Sequence, residues 1–204
     1  MKIAVFVSGR GSNLKAILES PDLKNIVSVE AVLSDKPDCK AFNIAKQFNI
    51  KSFSVGEGEG KIKVDQLSAL LIELKIDMIV LAGYLKLIPD DLITNFENRI
   101  INIHPALLPS FGGKGMYGIN VHKAVFNSSA KVSGATVHMV DNSYDTGRII
   151  AQKCVDISDV KSPEEIAERV LEVEHKILPE VIKAFAFNKV KFEASRIIIE
   201  KNNF

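Results

Sequence analysis

An amide and an imidazole stand two positions apart in Ile101-Asn102-Ile103-His104-Pro105, within an apolar, β-branched run that begins at Ile100. In an extended chain that spacing puts both side chains on one face. Pro105 and Pro109 then bar continuation as regular helix or central strand, so the backbone after His104 is held in a stiff loop. An Asn that donates to a developing oxyanion, beside a His that titrates near neutrality, suits acyl-group chemistry. The other reading is a strand end with a surface His in a Pro-rich turn. Asp145, in the polar stretch 141–148 between two strand-like runs, is the acid that fits this pair. A carboxylate fixed beside an imidazole favours imidazolium and raises its pKa. Taken alone, Asp145 also reads as an Asx-type turn residue ahead of Thr146-Gly147.

The elements that must position these groups read as an α/β alternation. Residues 3–7 are apolar without a break, as in a strand buried on both faces of a parallel sheet. They empty into Ser8-Gly9-Arg10-Gly11-Ser12-Asn13, followed by Leu14, Ile17 and Leu18 at helical spacing. Glycines there let the backbone turn tightly and approach a ligand, and the free N–H groups of a helix start favour an anion. Leu14 stands where a dinucleotide fingerprint wants a third glycine, which favours a single phosphate over a pyrophosphate. A tight turn with Ser12 or Asn13 capping the helix is the alternative. Strands over 27–33, 51–55 and 77–81 alternate with helices over 39–48 and 61–75, the second with Val64, Leu67, Leu71 and Leu74 on one stripe. This order implies a parallel sheet with right-handed crossovers. Ligands bind such sheets beyond the carboxyl ends of the strands. The stretches 9–13, 83–88 and 102–104 all lie at such ends and converge on one rim.

Further along, the glycine-rich stretches 56–60 and 112–118 read as loops, 119–126 as a short helix, and 132–140 and 149–155 as strands. Ser162, Pro163 and Glu165 form a strong helix start, with Ile166, Val170, Val173, Ile177 and Val181 as its buried stripe. Pro179 predicts a kink near 176–178. Glu174 and His175 lie beside the stripe, as a solvated acid and a half-buried His. Residues 189–192 and 196–199 suggest a terminal hairpin. His122 and His138 lack metal-ligand spacing and read as structural, and no metal is expected.

The chain has 204 residues, enough for one large domain or two small lobes with a sizeable core. Lys+Arg 26 against Asp+Glu 25 leaves a net charge of +1, so bulk charge does not point to a nucleic-acid binder, although a neutral total can hide a local basic patch. Cys39 and Cys154 stand far apart with no signal peptide ahead of them, which fits a reducing cytoplasm and argues against a cysteine-rich zinc site. The N-terminal apolar run is too short to span a bilayer.

Ser8-Gly9-Arg10-Gly11-Ser12-Asn13, Leu81-Ala82-Gly83-Tyr84, Asn102-Ile103-His104-Pro105-Ala106-Leu107-Leu108-Pro109, Ser133-Gly134-Ala135-Thr136-Val137-His138 and Tyr144-Asp145-Thr146-Gly147 together resemble the phosphoribosylglycinamide formyltransferases, folate-dependent enzymes of purine biosynthesis. The likeness runs over nearly the whole chain in matching order. It implies a mostly parallel Rossmann-like sheet with helices on both faces and its last strands in mixed orientation. It also implies a single formyltransferase domain over 1–204, with 1–100 as the nucleotide-phosphate-binding half and 101–204 as the folate-binding and catalytic half. The implied reaction moves the formyl group of 10-formyltetrahydrofolate, a co-substrate, to the amine of glycinamide ribonucleotide without a metal. By motif match, Asn102 would hold the formyl oxygen, His104 would act as acid/base partner and Asp145 would orient and charge the imidazole. Gly11, Ser12 and Asn13 would bind the substrate phosphate, and Glu174 the ribose hydroxyls. Leu85, Lys86, Leu87 and Ile88 match the segment that lines the pterin pocket, with Lys86 where many relatives carry Arg. Lys61 is the nearest counterpart of a basic residue that helps bind folate. The loop 112–118 departs from the shorter Pro-Gly-containing loop of many relatives.

Three rivals remain. A formyltetrahydrofolate hydrolase shares the Asn, His and Asp but carries an N-terminal regulatory domain and usually a second His after the motif His; here Met1 opens onto the first strand and Pro105 follows His104. A methionyl-tRNA formyltransferase needs a C-terminal domain and a basic surface. A non-catalytic nucleotide-binding module gains nothing from an aligned acid/base pair. Small-molecule substrates are therefore the expected partners, with no nucleic acid and no membrane, and a homodimer is admissible.

Overall fold

In the computed structural model, which describes residues 1–200, the N-terminal apolar run forms strand β1 (Lys2–Val7), with every residue from Ile3 to Val7 buried. Residues 201–204, the end of the expected domain, lie outside the described residues. Strands β2 (Ser28–Ser34), β3 (Lys51–Ser54), β4 (Met78–Leu81) and β5 (Ile100–His104) join β1 in parallel. Strands β6 (Val132–Met139) and β7 (Ile149–Asp156) extend the sheet antiparallel beyond β5. The order is β3-β2-β1-β4-β5-β6-β7, a mostly parallel sheet with mixed ends, as expected. The chain reverses direction of travel between β1 and β4, and this is where open α/β sheets bind ligands.

Strand alternation divides the core. Ile3, Val5 and Val7 face one side, against Leu14 and Ile17 of helix α1 (Ser12–Glu19), Ala41 and Ala45 of α2 (Ala41–Gln47), and the long apolar stripe of α6 (Pro163–Ala186). Ala4 and Phe6 face the other, against α3 (Leu67–Glu73) and α4 (Asp90–Asn95). Helix α5 (Ile119–Asn127) packs on α6 and contributes Val125 to the first face. The Ser162 hydroxyl accepts from the Glu165 N–H at 3.3 Å, and Pro163 opens α6, so the predicted start holds.

Two readings change, at the 61–75 helix and at α4. The helix read over 61–75 is a 3-10 turn (Val64–Gln66) followed by α3, and Val64 is exposed, because its stripe position precedes the regular helix. Pro179 lies inside α6, which runs as one helix to Ala186 with Ile177, Leu178, Pro179, Val181 and Ile182 buried. Tertiary packing there offsets the lost N–H. Helix α4 has no counterpart in the sequence reading, since six residues are too few to display a period. The terminal hairpin forms as β8 (Val190–Phe192) and β9 (Ile197–Ile199). No helix among the described residues is long and apolar enough to cross a membrane.

Candidate active site

Strand β5 brings Asn102 and His104 to the carboxyl edge of the sheet, and antiparallel pairing sets His138 opposite Asn102 and Thr136 opposite His104. The Nδ1–H of His138 donates to the Met139 carbonyl at 2.7 Å. That leaves Nε2 as an acceptor for the Asn102 amide, Nδ2 to Nε2 3.0 Å. One amide hydrogen of Asn102 is thereby spent on orientation and the second stays free to stabilise an oxyanion. His138 is thus part of the site, a correction to its reading as a structural residue. Its alternation with Val137 and Met139 conceals the role, and only the β5–β6 register would have disclosed it.

His104 is 3 % exposed. Its Nε2–H donates to the Phe111 carbonyl at 2.9 Å, and its Nδ1 lies 3.4 Å from Asp145 Oδ2. The Gly113 N–H donates to the same oxygen at 2.9 Å, and Oδ1 lies 3.6 Å from His138 Nε2. Asp145 itself has φ 59°. The Asx role falls instead to Asp141, which accepts from Ser143 N–H at 3.0 Å and Thr146 Oγ–H at 2.7 Å. A Cβ at Gly147 would run into the Met139 carbonyl, so glycine is required where this loop returns to the sheet. Burial would raise the Asp145 carboxyl, yet the His138 contact, the His104 charge and the Gly113 N–H hold it below the usual carboxylate range. Burial also dominates at His104 and pushes the imidazole below its ordinary value, against the pull of Asp145 and the Phe111 carbonyl. The expected net rise is therefore corrected: Asp145 raises the pKa, but desolvation outweighs it. Both ring nitrogens nevertheless face acceptors, so the partners that would stabilise an imidazolium are in place.

The loop after His104 is tied from the far strands. Thr136, fully buried, donates through Oγ to the Ala106 carbonyl at 2.6 Å and accepts from the Leu108 N–H at 3.0 Å. Gln152 on β7 donates to the Leu108 carbonyl at 2.8 Å.

At the β1 exit, Gly11 is the N-cap of α1 with φ 78°, so neither Ser12 nor Asn13 caps the helix. Ser12 opens α1 and stays half-buried. A Cβ on Gly11 would stand 2.7 Å from the Ala41 Cβ, so bulk there would disturb α2 before it reached any ligand. Asn13 turns inward and donates through Nδ2 to Glu174 Oε2 at 2.6 Å. Glu174 is 8 % exposed, not the solvated acid expected from its place beside the α6 stripe. Burial pushes its carboxyl up to about 7, with the Asn13 bond opposing. Arg10, Asn13, Glu174, Asn102, His104 and Asp145 line one cavity of about 630 Å³. The stretch 113–119 and Leu85 complete its wall. Lys86, Leu87 and Ile88 line an adjoining cavity of about 410 Å³ together with Lys61 and Asp35. His122, 5 % exposed on α5, also borders the main cavity; its Nδ1 has no hydrogen-bond partner, and burial, then the His104 charge, push it down to about 4. No sequence signal distinguishes it from a core His. Among the described residues, no group of three or more His, Cys, Asp or Glu could hold a metal ion.

Chemically, this is an oriented amide donor, a buried imidazole and an ionised carboxylate on the wall of one cavity. The model of a protein family described as formyl transferase matches residues 1–182. A chloroplastic phosphoribosylglycinamide formyltransferase of Arabidopsis thaliana is 42 % identical, aligned over 98 % of this chain and 70 % of the relative. The phosphoribosylglycinamide formyltransferase of Bacillus subtilis (strain 168) is 40 % identical over 89 % of this chain and 93 % of its own length. The crystal structure of the enzyme of that name from Anaplasma phagocytophilum superposes with a TM-score of 0.88 at 30 % identity, covering 100 % of this chain and 96 % of the other. With the family model matching most of the chain and these relatives similar over nearly all of it in sequence and fold, the chain belongs to the formyl transferase family.

Proposed function

We infer that this chain transfers the formyl group of 10-formyltetrahydrofolate to the primary amine of glycinamide ribonucleotide, a step of purine biosynthesis. The observation that carries this reading is the single cavity onto which Asn102, His104, Asp145, Asn13 and Glu174 all open, in a member of this family. The amine nitrogen attacks the formyl carbon, and the carbonyl oxygen becomes an oxyanion held by the free Asn102 amide hydrogen. The bond from the formyl carbon to folate N10 then breaks, with one proton leaving the amine and one arriving at N10. His104 carries the proton traffic, and Asp145 orients the ring and supports its charged form. At rest the His104 Nε2–H sits on the Phe111 carbonyl, a partner that substrate oxygen must displace.

In this proposal Gly11, Ser12 and the α1 N-terminus hold the phosphate, and Glu174, steadied by Asn13, takes the ribose hydroxyls. Leu85 to Ile88 and Lys61 accept the folate. The half 1–100 then serves the phosphate and 101–204 the chemistry, although the folate contacts at 61 and 85–88 fall in the first half. We place the chain in the cytoplasm, on its two free cysteines. The test is product identification. Incubation with both substrates should yield tetrahydrofolate and a nucleotide heavier by one formyl group less one hydrogen, measured by mass spectrometry. Formate with unmodified nucleotide would mean hydrolysis, and unchanged substrates would leave only a binding module.

A further inference from the structure

Ser8, the residue that ends the β1 run, is 4 % exposed and bonds to both neighbouring strand exits. Its N–H donates to the Gly83 carbonyl at 3.0 Å, and its hydroxyl accepts from the Leu85 N–H at 3.0 Å. The same hydroxyl donates to Asp35 Oδ1 at 2.5 Å, a charge-assisted bond that fixes the rotor. Among the described residues, the bond from Leu85 N–H is the one hydrogen bond that ties 84–88 to the sheet. Ile88 is buried and Tyr84 packs edge-on against Phe6, whereas Leu85 is 36 % exposed and Leu87 48 %, so the Ser8 bond sets the backbone of Leu85 between two packed neighbours. On the other side of Ser8, the Cys39 thiol donates to the Gly9 carbonyl at 3.2 Å, and Ala41 stands against Gly11. The turn 9–13 and the segment 85–88 are thus the two flanks of one hydroxyl, at the point where the strand order reverses.

We propose that Ser8, held by Asp35, is a positioning residue that couples the two substrate subsites. Nucleotide bound at 11–13 stiffens the β1 exit, and the Ser8 hydroxyl passes that order to the Leu85 amide and the folate segment. Folate binding returns the same factor to the nucleotide, since coupling between two sites is reciprocal. This rests on the transferase reading for which ligand sits on which flank, but the tether itself does not.

The test uses the full chain, Ser8→Ala, Asp35→Asn and Asp35→Ala. Amide hydrogen exchange at Leu85 in the free protein should quicken about tenfold in Ser8→Ala, the loss of one hydrogen bond of ordinary worth. Asp35→Asn, whose side-chain oxygen still accepts from Ser8, should stay near wild type, and Asp35→Ala should follow Ser8→Ala. The folate dissociation constant, measured with tetrahydrofolate in the absence and presence of glycinamide ribonucleotide, should differ about fivefold or more in wild type. That ratio should fall toward one in Ser8→Ala and be retained in Asp35→Asn. Unchanged Leu85 exchange in Ser8→Ala, or an unchanged ratio where wild type binds both ligands, overturns the proposal. Wild type that binds neither ligand overturns the transferase reading and its coupling, while the exchange result still reports on the tether.

Discussion

Asp145, half-buried, and Glu174, buried, are two carboxyls on one cavity, and their surroundings shift them in opposite directions. Asp145 keeps its charge through the Gly113 N–H and two imidazoles. Glu174 has one amide partner and loses the contest with burial. Two outcomes follow at these residues. The Asp145 charge raises the His104 pKa, so Asp145→Asn should move the acid limb of the rate profile to lower pH by about one unit. A pH profile of kcat/KM checks this, and a limb that stays in place would remove the electrostatic role. Glu174 has a folded pKa above its ordinary 4.5, so its stabilising contribution is complete below that value and is lost as pH rises through about 7. Glu174→Gln keeps an acceptor for Asn13 and should therefore be more stable than wild type at pH 8, by about 2–3 kcal/mol, and equal to it at pH 4, measured by urea denaturation. The Asn102–His104 pair was legible in the sequence because a strand fixes the relation of residues two apart. The burial of Glu174 was not, because its partner Asn13 is 161 positions away, and its place among the site residues came only from the family resemblance.

Strands β5 and β6 do more than carry catalytic side chains. Thr136, paired opposite His104, satisfies the Ala106 carbonyl and the Leu108 N–H, and Gln152 across β7 satisfies the Leu108 carbonyl. The stiffness that Pro105 and Pro109 predict is therefore completed by bonds from the antiparallel end of the sheet. Thr136→Val keeps the volume but leaves Ala106 and Leu108 unsatisfied in a buried place. The expected cost is about 2–3 kcal/mol of stability by urea denaturation, with a fall in kcat as the loop loosens; wild-type values for both would show that the prolines suffice. Element existence was readable wherever an apolar period was long enough, as in β1, β6 and α6. It failed at α4, and at Val64, where a 3-10 turn breaks the period. His138 was hidden for a related reason, since period two gives its face but not its partner.

Across the molecule, three strand exits that are remote in sequence share one rim, and the resulting cavity is lined by Arg10 and Asn13 from the first, Gly83 to Leu85 from the second, and Asn102 and His104 from the third. That convergence could be anticipated from the α/β order, because such sheets place ligands beyond the carboxyl ends of their strands. The antiparallel addition of β6 and β7 brings His138, Asp145 and Thr136 to the same rim. In the mechanism proposed above, Asn102, His104 and Asp145 suit formyl transfer to an amine or to water alike, and only the acceptor separates the two. Formyl release from 10-formyltetrahydrofolate by the purified chain, followed with and without glycinamide ribonucleotide, addresses that choice. Release that requires the amine, matched by formation of the formylated nucleotide, is the expected result; release at the same rate without the amine would contradict the transferase assignment.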